Sequence, residues 1–423
     1  MKILWVTNIP FDKLLSLLGK KDENTSGSWL NAALNNFKND NQFELTIVTT
    51  GNIKQIMTST DININYCILP KNTLSYYNHK NKKNRKNWMM IKEMFEPDII
   101  QIWGTEFTHG YLALQVFKNI PSVIYMQGLL KSIARYYLSG MSPKELRESI
   151  TIRDILKLDW IRLSQKNFER RSITEAKMIN ISNNVIVENT WCASHCRTIN
   201  PNIKIHFSNL NIRKEFFNCD WTVEKMQPKT IMCNAAGYPI KGLHILLKAF
   251  NIVLKRFPKA ILMIPGETSP FEKNLIGKLK INGYTKFIKK LIIKFNIKNN
   301  VCFLGRLSSS LMAEQMSVAN VFVLPSSIEN HSSTLLEAMV VGTPCISANV
   351  GGIPEYLIHN RNGLLYRFEE YELLAVYICQ LFENKEKAVF LSENAKKDIR
   401  NTRNSNDLKK QLINIYNKIL EEK

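Results

Sequence analysis

The stretch that most constrains the fold of this chain is 321–357, VFVLPSSIENHSSTLLEAMVVGTPCISANVGGIPEYL. The apolar run 321–324 stops at Pro325 and predicts a buried parallel strand, because strands covered on both faces lack polar alternation. A polar loop follows, and apolar residues then recur at helical spacing up to Gly342, after which a second strand begins at Cys345. This order predicts a doubly wound α/β domain, in which ligands bind beyond the carboxyl ends of the strands.

Two carboxylates flank the start of the predicted helix, with Glu329 in the loop and Glu337 one turn into the helix. A helix that begins near Ser333 or Thr334 directs backbone N–H groups and its positive dipole end toward an anion such as a diphosphate. The carboxylates can accept hydrogen bonds from sugar hydroxyls on either side. A capping box from Thr334 to Glu337 and a solvated Glu329 are the alternatives.

The same stretch carries an ordered set of short motifs. Glu329 and Glu337 have seven residues between them, and Ala338-Met339, Gly342-Thr343-Pro344 and the GGIPE run at 351–355 follow. This set resembles the donor-site signature of glycosyltransferase family 4, within the group 1 glycosyltransferases, and other loops resemble the polysaccharide-biosynthesis branch. The resemblance implies the GT-B fold, an α/β architecture of two Rossmann-like doubly wound domains that face each other across a cleft.

The resemblance also implies site roles. Glu329 would contact the transferred sugar and Glu337 the ribose hydroxyls of a nucleotide diphosphate sugar. Main-chain donors near the phosphates would come from Ser333, Thr334 and Leu335. Retention at the anomeric carbon is implied, and no metal or other cofactor is expected.

A second donor loop is predicted at 237–242, after the strand 229–236. Lys241 would lie at a helix N-terminus there and stabilise the leaving diphosphate, with Gly237 in the same loop. The family usually adds an arginine several residues earlier, but none occurs between Lys229 and Lys255, so Arg306 is predicted as its substitute. A solvated lysine is the alternative for Lys241.

Three further residues are candidates in the N-terminal half. Gly27 resembles the glycine of a turn near the donor phosphates, although the following Ser28 also fits a simple helix cap. His109 follows the strand 98–103, and Gln127 follows the strand 122–125 at a position where many family members have a histidine. Both are candidate acceptor or sugar contacts, and the predicted helical region 129–174 is a further place for the acceptor.

The predicted domains are an N-terminal acceptor-binding domain at 1–218, a linker at 219–228, a donor-binding domain at 229–400 and a C-terminal helix at 401–423 that packs back on the first domain. Further strands are predicted at 3–7, 45–49, 65–69, 185–187, 260–264, 301–304 and 363–365.

The chain has 423 residues and a formal net charge of +21, which favours anionic partners. The stretch 71–95 is rich in lysine, arginine and aromatics and predicts either an anionic-membrane contact or a basic loop before a solvated helix face. The stretch 271–300 leaves the same choice between a membrane surface and an ordinary surface helix.

Eight cysteines are scattered through the chain, and most lie in apolar runs, which predicts buried free thiols in a reducing compartment. A zinc site is not favoured at Cys192, His195 and Cys196, because no second pair of ligands with suitable spacing occurs in the sequence. No apolar run is long enough to span a bilayer. We therefore expect a cytoplasmic protein, with the inner face of the membrane as a further location.

The sequence thus predicts a glycosyltransferase that moves a sugar from a nucleotide diphosphate sugar to a saccharide or lipid-linked saccharide in cell-surface polysaccharide synthesis. A peripheral membrane contact is expected, and a nucleic-acid partner is not. The alternatives are an epimerase of the same fold, which would need no acceptor, a phosphorylase with a lysine-bound cofactor, and a non-enzymatic binder of anionic polymers or membranes, which would bind in a salt-dependent way.

Overall fold

The structure is a computed structural model and describes residues 1–8, 14, 16, 28–35, 37–38, 40–71, 82–233, 237–266, 270–271, 281–403 and 407–422. The chain folds into two compact units. The first comprises Met1–Lys131, Phe168–Asn211 and Asn404–Lys423, and the second comprises Ser132–Asn167 and Ile212–Arg403.

The first unit contains an eight-stranded sheet in the order β3-β4-β2-β1-β5-β6-β7-β8. All neighbours pair in parallel except β3 and β4. Its central strands are almost continuously apolar because helices cover both faces. The strands are β1 (Lys2–Thr7), β2 (Glu44–Gly51), β3 (Met57–Asp61), β4 (Ile64–Pro70), β5 (Ile99–Trp103), β6 (Ser122–Tyr125), β7 (Asn184–Val187) and β8 (Lys204–Phe207).

The helices up to residue 217 vary widely in length. They are α1 (Ser28–Asn35), α2 (Lys82–Met94), α3 (Thr108–Val116), α4 (Leu130–Tyr136), α5 (Pro143–Ser149), α6 (Ile152–Lys157), α7 (Ile161–Ser182), α8 (Thr190–Ile199) and α9 (Lys214–Phe217).

The second unit contains a six-stranded, fully parallel sheet in the order β11-β10-β9-β12-β13-β14. The strands are β9 (Gln227–Cys233), β10 (Ile261–Pro265), β11 (Val301–Gly305), β12 (Ala319–Leu324), β13 (Cys345–Ala348) and β14 (Leu364–Tyr366). The remaining helices are α10 (Leu243–Arg256), α11 (Gly283–Lys294), α12 (Ser309–Val318), α13 (Ser333–Val341), α14 (Tyr371–Glu383), α15 (Lys385–Thr402) and α16 (Asp407–Glu421).

The order of strands in the second sheet creates a crevice. The chain runs from β9 outward through β10 to β11, and then crosses to the other side of β9 to form β12. The segments that follow β9 and β12 therefore leave neighbouring strands in opposite directions. This is the topological switch point, where open α/β sheets bind their ligands.

The α/β class predicted from the sequence is confirmed, and every predicted strand is present to within a few residues. Two strands were missed. In β3 all residues except Met57 are polar and alternate between partial and full exposure, and β8 has only four residues, two of them exposed. Such edge strands lack the apolar run that identified the others.

The prediction of one helical region at 129–174 was wrong in detail. The region is divided into α4, α5, α6 and the first part of α7, because Ser142 and Thr151 each start a new helix with a capping box. Residues 132–167 also belong to the second unit, although the sequence analysis placed them in the N-terminal domain. The segment 212–228, expected at the domain end and in the linker, belongs to the second unit as well.

The last helix, α16, packs on the first unit through an apolar face. Leu408, Leu412 and Tyr416 join a core cluster with Trp5 and Phe37. The Trp5 indole N–H donates to the Tyr416 hydroxyl at 3.2 Å. Tyr416 in turn donates to the side-chain oxygen of Gln101 on β5.

Three of the five cysteines predicted to be buried are buried, and Cys302 and Cys379, the latter only half-buried, are the exceptions. All eight are free thiols, and five are buried, including Cys192 and Cys196. Cys302, predicted to be buried, is exposed because it lies on the edge strand β11.

Candidate functional site

Lys241 and Glu329 form an ion pair at the switch point of the second sheet. Lys241 ends the short 3₁₀ turn Pro239–Lys241 after β9, and Glu329 lies in the loop after β12. The Lys241 ammonium donates to the Glu329 carboxylate at 2.6 Å, and their side chains are 27% and 10% exposed. Burial disfavours the ammonium, but the Glu329 charge beside it holds the pKa of Lys241 above its usual value.

A glycine brings the Lys241 turn against the end of β12. Gly242 has φ +69°, and a Cβ atom there would lie 1.7 Å from the Pro325 carbonyl oxygen. The Ser327 amide also donates to the Ile240 carbonyl at 2.8 Å. The backbone thus fixes the two loops to each other before either side chain contributes.

A second glycine fixes the backbone of Glu329. Gly351, in the segment after β13, has φ +55°, and a Cβ atom there would lie 1.8 Å from the Glu329 carbonyl oxygen. The next residue, Gly352, donates its amide to that same carbonyl at 3.1 Å. The paired glycines of the GGIPE run therefore hold the loop that carries the acidic side chain.

Helix α13 begins beside this loop, and Ser332 is its cap. The Ser332 hydroxyl accepts the Leu335 amide at 3.3 Å, so this amide, predicted as a phosphate donor, already has an acceptor. Ser333 is exposed and Thr334 half-buried in the first turn. The alternative of a Thr334–Glu337 capping box is wrong, because the cap is two residues earlier than that box requires.

Glu337 has a partner that the sequence analysis missed. Arg213, which occupies the N-cap position of α9 without a capping hydrogen bond, donates to the two carboxylate oxygens of Glu337 at 2.7 and 2.9 Å. Its third nitrogen donates to the Ser309 hydroxyl at 2.8 Å, and its guanidinium lies 4.7 Å from the Phe216 ring centre. No local signal could have revealed this bidentate pair, because the partners are 124 positions apart.

The Glu337 side chain is only 4% exposed. Burial raises its pKa, and the guanidinium of Arg213 opposes that rise by stabilising the charged form. Each carboxylate oxygen has further lone pairs besides the one that Arg213 occupies, so Glu337 can still accept hydrogen bonds from hydroxyl groups.

The other predicted donor residues are dispersed. Gly237 is half-buried, and its carbonyl accepts a hydrogen bond from the side-chain amide of Asn282 at 3.1 Å. Arg306 is exposed and follows the edge strand β11, two strands away from the β9 that leads to Lys241. Gly27 lies outside the described residues.

His109 and Gln127 belong to the first unit. His109 lies in the first turn of α3, with its Nε2 atom 3.0 Å from the Thr7 carbonyl oxygen. Burial lowers the pKa of His109 to about 4, so the ring is neutral at physiological pH. Gln127 is half-buried just beyond the end of β6.

Two carboxylates of the first unit, the buried Glu175 and the half-buried Glu106, were not predicted. Glu175 on α7 accepts the Thr105 hydroxyl at 2.6 Å and the Leu130 amide at 2.9 Å. Burial raises the pKa of Glu175 to about 7, and the charge of Glu106 adds to the rise. Glu106 itself accepts a hydrogen bond from the Asn8 side-chain amide.

Within the described ranges, no cluster of three or more His, Cys, Asp or Glu side chains could hold a metal ion. None of the helices in those ranges is long and apolar enough to cross a membrane.

Solved structures define the class of fold. Sucrose-phosphate synthase from Thermosynechococcus elongatus superposes with a TM-score of 0.72 over the whole of both chains, at 15% identity. Anabaena HepE, solved in complex with UDP-glucose, superposes with a TM-score of 0.63 over 100% of this chain and 99% of its own, at 16% identity. The chain therefore has the GT-B fold, with two Rossmann-like α/β domains.

Sequence comparison matches one segment of the chain to a family. Residues 220–398, which carry Lys241, Glu329 and Glu337, match the family described as "Glycosyl transferases group 1". This segment is therefore similar to the group 1 glycosyltransferases.

Two relatives match parts of the chain. One is the N-acetyl-alpha-D-glucosaminyl L-malate synthase of Bacillus anthracis, with 30% identity over 32% of this chain and 35% of the relative. The other is the GDP-mannose-dependent alpha-(1-6)-phosphatidylinositol monomannoside mannosyltransferase of Mycobacterium tuberculosis, with 25% identity over 38% of this chain and 40% of the relative. The chain spans less than half the length of these relatives.

Proposed function

We propose that the chain is a retaining glycosyltransferase that transfers a sugar from a nucleotide diphosphate sugar to a saccharide or lipid-linked saccharide. The observation that carries this proposal is the Lys241–Glu329 pair at the switch point, held by two close glycine contacts. A lysine and a glutamate so confined place a cation for phosphate beside an acceptor for sugar hydroxyls.

The proposed chemistry is electrostatic stabilisation of the leaving group. An ammonium has three N–H donors, and Glu329 uses one of them, so Lys241 keeps donors for diphosphate oxygens. The first turn of α13 adds the positive end of its dipole. The departing phosphate would take the proton of the acceptor hydroxyl, which explains how the reaction proceeds without a separate side-chain base.

Glu337 is proposed to bind the ribose hydroxyls of the donor, with Arg213 as a positioning residue. The bidentate pair fixes the plane of the Glu337 carboxylate. A hydroxyl that arrives therefore meets an acceptor whose orientation is already set, and less conformational freedom is lost on binding.

The donor class is supported by the named ligands of similar proteins. HepE was solved with UDP and with UDP-glucose, and the mycobacterial relative is named as GDP-mannose-dependent. These names differ in base and sugar but share a nucleoside diphosphate. We propose that this chain also uses a nucleoside diphosphate sugar as its donor. Its proposed role is cell-surface polysaccharide synthesis, in the cytoplasm or at the inner face of the membrane.

The first experiment is a thermal-shift screen of nucleotide diphosphate sugars with the full chain, with and without EDTA. We expect one donor to raise the melting temperature, and EDTA to leave that shift unchanged because the ammonium and helix terminus replace a metal. Transfer to saccharide and lipid-linked acceptors, followed by NMR of the product anomer, then tests retention. A donor that is epimerised without any acceptor would contradict the transferase.

The second experiment separates chemistry from binding. Glu329→Ala should lower kcat on the order of 100-fold while donor Kd changes only a few-fold, because it removes a contact that matters most in the transition state. Calorimetry measures Kd, and a radiolabelled-donor assay measures kcat.

The matched control is Glu383→Ala, which removes a surface ion pair with Arg256 of the same 2.6 Å length in the same unit. It should change neither quantity. A Glu329→Ala enzyme with the activity of the parent chain would refute the assignment.

A further inference from the structure

Helix α6 (Ile152–Lys157) in the second unit buries its acidic side chain and exposes its apolar side chains. Its one acidic residue, Asp154, is only 1% exposed. Its apolar residues Ile152, Ile155 and Leu156 are 76%, 57% and 80% exposed, and the next apolar residue, Leu158, is 62% exposed. We call these four residues the α6 apolar face. The exposed aliphatic side chains of this helix contribute no buried apolar surface to the stability of its own domain.

This arrangement is fixed by the contacts of Asp154. Its side chain accepts the Thr151 amide at 3.1 Å in a capping box and pairs with Arg153 at 3.0 Å. On its other side it lies against α11, where a Cβ atom at Gly283 would come within 2.7 Å of the Asp154 carboxylate. Asp154 therefore has its partners inside the unit, and the α6 apolar face points outward as a consequence.

Basic residues border this face. The Lys286 ammonium on α11 donates to the Ile150 carbonyl, two residues before α6, at 2.9 Å. Residues 281–300 contain five lysines and no acidic residue. One of these lysines, Lys290, pairs with Glu148 on α5. Ile293 on α11 is 60% exposed among these lysines, and Lys157 on α6 is also exposed.

We propose that the α6 apolar face, with the lysines of α11, docks on the surface of an anionic phospholipid membrane. Aliphatic side chains insert at the boundary between headgroups and acyl chains, and neighbouring lysines bind lipid phosphates. The lysine-only composition of 281–300 favours this occupant over a protein, because a protein partner would need a matching acidic surface, whereas an anionic bilayer supplies negative charge everywhere.

This location differs from the one that the basic stretch 71–95 suggested. Trp88 and Phe95, the described aromatics of that stretch, are buried in one core cluster, where Trp88 packs against Phe117. Tyr76 and Tyr77 lie outside the described residues. The proposal is independent of the transfer reaction, since membrane docking needs no nucleotide sugar.

The test is flotation of the full chain with vesicles of phosphatidylcholine alone and of phosphatidylcholine mixed with phosphatidylglycerol. We expect binding to the anionic vesicles, weakened by high salt because exposed charges are screened. The triple variant Ile152→Ser, Leu156→Ser, Leu158→Ser should bind at least about tenfold more weakly, because each change removes aliphatic surface that would enter the membrane.

The control is the double variant Val376→Ser, Phe390→Ser. These residues are 60% and 53% exposed in the same unit, on α14 and α15. It should bind vesicles as the parent chain does. Thermal-shift binding of the donor should be unchanged in both variants, which separates this proposal from the proposed function.

Three results would overturn the proposal: no binding of the parent chain to anionic vesicles, equal binding by the triple variant, or equal loss in the control. A parent chain that ignores vesicles but forms a dimer, which the triple variant abolishes in light scattering, would assign the face to self-association instead.

Discussion

At the residue scale, the candidate site depends on two glycines as much as on two charges. Gly242 and Gly351 each allow a backbone approach that a Cβ atom would prevent. Lys241 and Glu329 could be predicted from the sequence because each lies in a short local motif. Gly242 and Gly351 belong to the same two motifs. The structure shows why glycine is needed there, because the backbone of each lies against a carbonyl oxygen, that of Pro325 or that of Glu329.

Gly351→Ala should impair both stability and catalysis. Its new methyl group would meet the Glu329 carbonyl, so the loop must move and the Lys241–Glu329 pair must lengthen. We expect a loss of more than about 2 kcal/mol in the free energy of unfolding, beyond the 1–2 kcal/mol of a left-handed backbone alone, and a fall in kcat. Urea unfolding and the transfer assay measure the two effects.

Gly140→Ala provides the comparison. Gly140 also has a positive φ, +74°, but no described atom lies within 4 Å of a Cβ atom built there. The free energy of unfolding of Gly140→Ala should fall only by the cost of the left-handed backbone conformation, roughly 1–2 kcal/mol. Its kcat should be that of the parent chain. If the two variants lose equal stability and activity, the close contact at Gly351 has no role.

At the element scale, helix starts were harder to predict than strands. The apolar runs of β9 and β12 gave their positions directly, since buried parallel strands leave a continuous signal. The predicted start of α13 near Ser333 or Thr334 is confirmed at Ser333. The capping residue could not be predicted, because three consecutive hydroxyl residues fit a cap equally well, and Ser332 is the one whose hydroxyl accepts the Leu335 amide. The link from α9 to α13 through Arg213 and Glu337 had no sequence signal at all.

Arg213→Met tests that link. It leaves the Glu337 carboxylate buried without its counter-ion, and we expect a loss of roughly 3 kcal/mol in stability at about pH 8. The pKa of Glu337 would rise further in this variant. As the pH falls, Glu337 therefore binds a proton in the folded chain at a pH where the same side chain in the unfolded chain is still ionised. The deficit should therefore shrink as the pH falls toward about 5, which urea unfolding at several pH values can measure.

Arg256→Met is the matched control for this prediction. Arg256 pairs with Glu383 on the surface, with side chains 63% and 40% exposed. Its loss should cost less than about 1 kcal/mol, independent of pH over this range. A deficit in Arg213→Met that stays constant between acid and alkaline pH would contradict the account given for Glu337.

At the scale of the whole molecule, two histidines with lowered pKa values should make the second unit sensitive to acid. His244 is buried, with its Nε2 atom 2.8 Å from the Ser139 carbonyl and its Nδ1 atom 2.9 Å from the Tyr284 hydroxyl. Burial lowers the pKa of His244 to about 4, and burial also lowers the pKa of His331 well below its usual value. Both rings are therefore neutral when folded.

We expect the stability of the second unit to fall as the pH is lowered from about 7 to about 4. In this window an unfolded histidine, with a pKa near 6.5, binds a proton that folded His244 does not. The slope is up to about 1.4 kcal/mol per pH unit for each such group. Denaturant unfolding measures it, and His244→Gln should reduce the slope; an unchanged slope would rule out His244 as its source.

The first unit contains an opposing group, Glu175, whose pKa is raised to about 7. Its folded form binds a proton between about pH 4.5 and 7 that the unfolded form has lost, so its contribution to stability is lost as the pH rises. Glu175→Gln should therefore stabilise the chain at about pH 8 and have little effect at about pH 5. Glu169→Gln, an exposed change on the same helix, should do neither.

The path of the chain through α16 has a consequence for biosynthesis. Tyr416 is fully buried beside Trp5, so the sheet built around the very first strand lacks part of its core until the final helix has left the ribosome. The second unit, by contrast, has all its residues by Arg403. The first unit therefore begins to be translated before the second unit but can complete its fold only after it. Until α16 has been synthesised, the apolar face that α16 covers stays exposed.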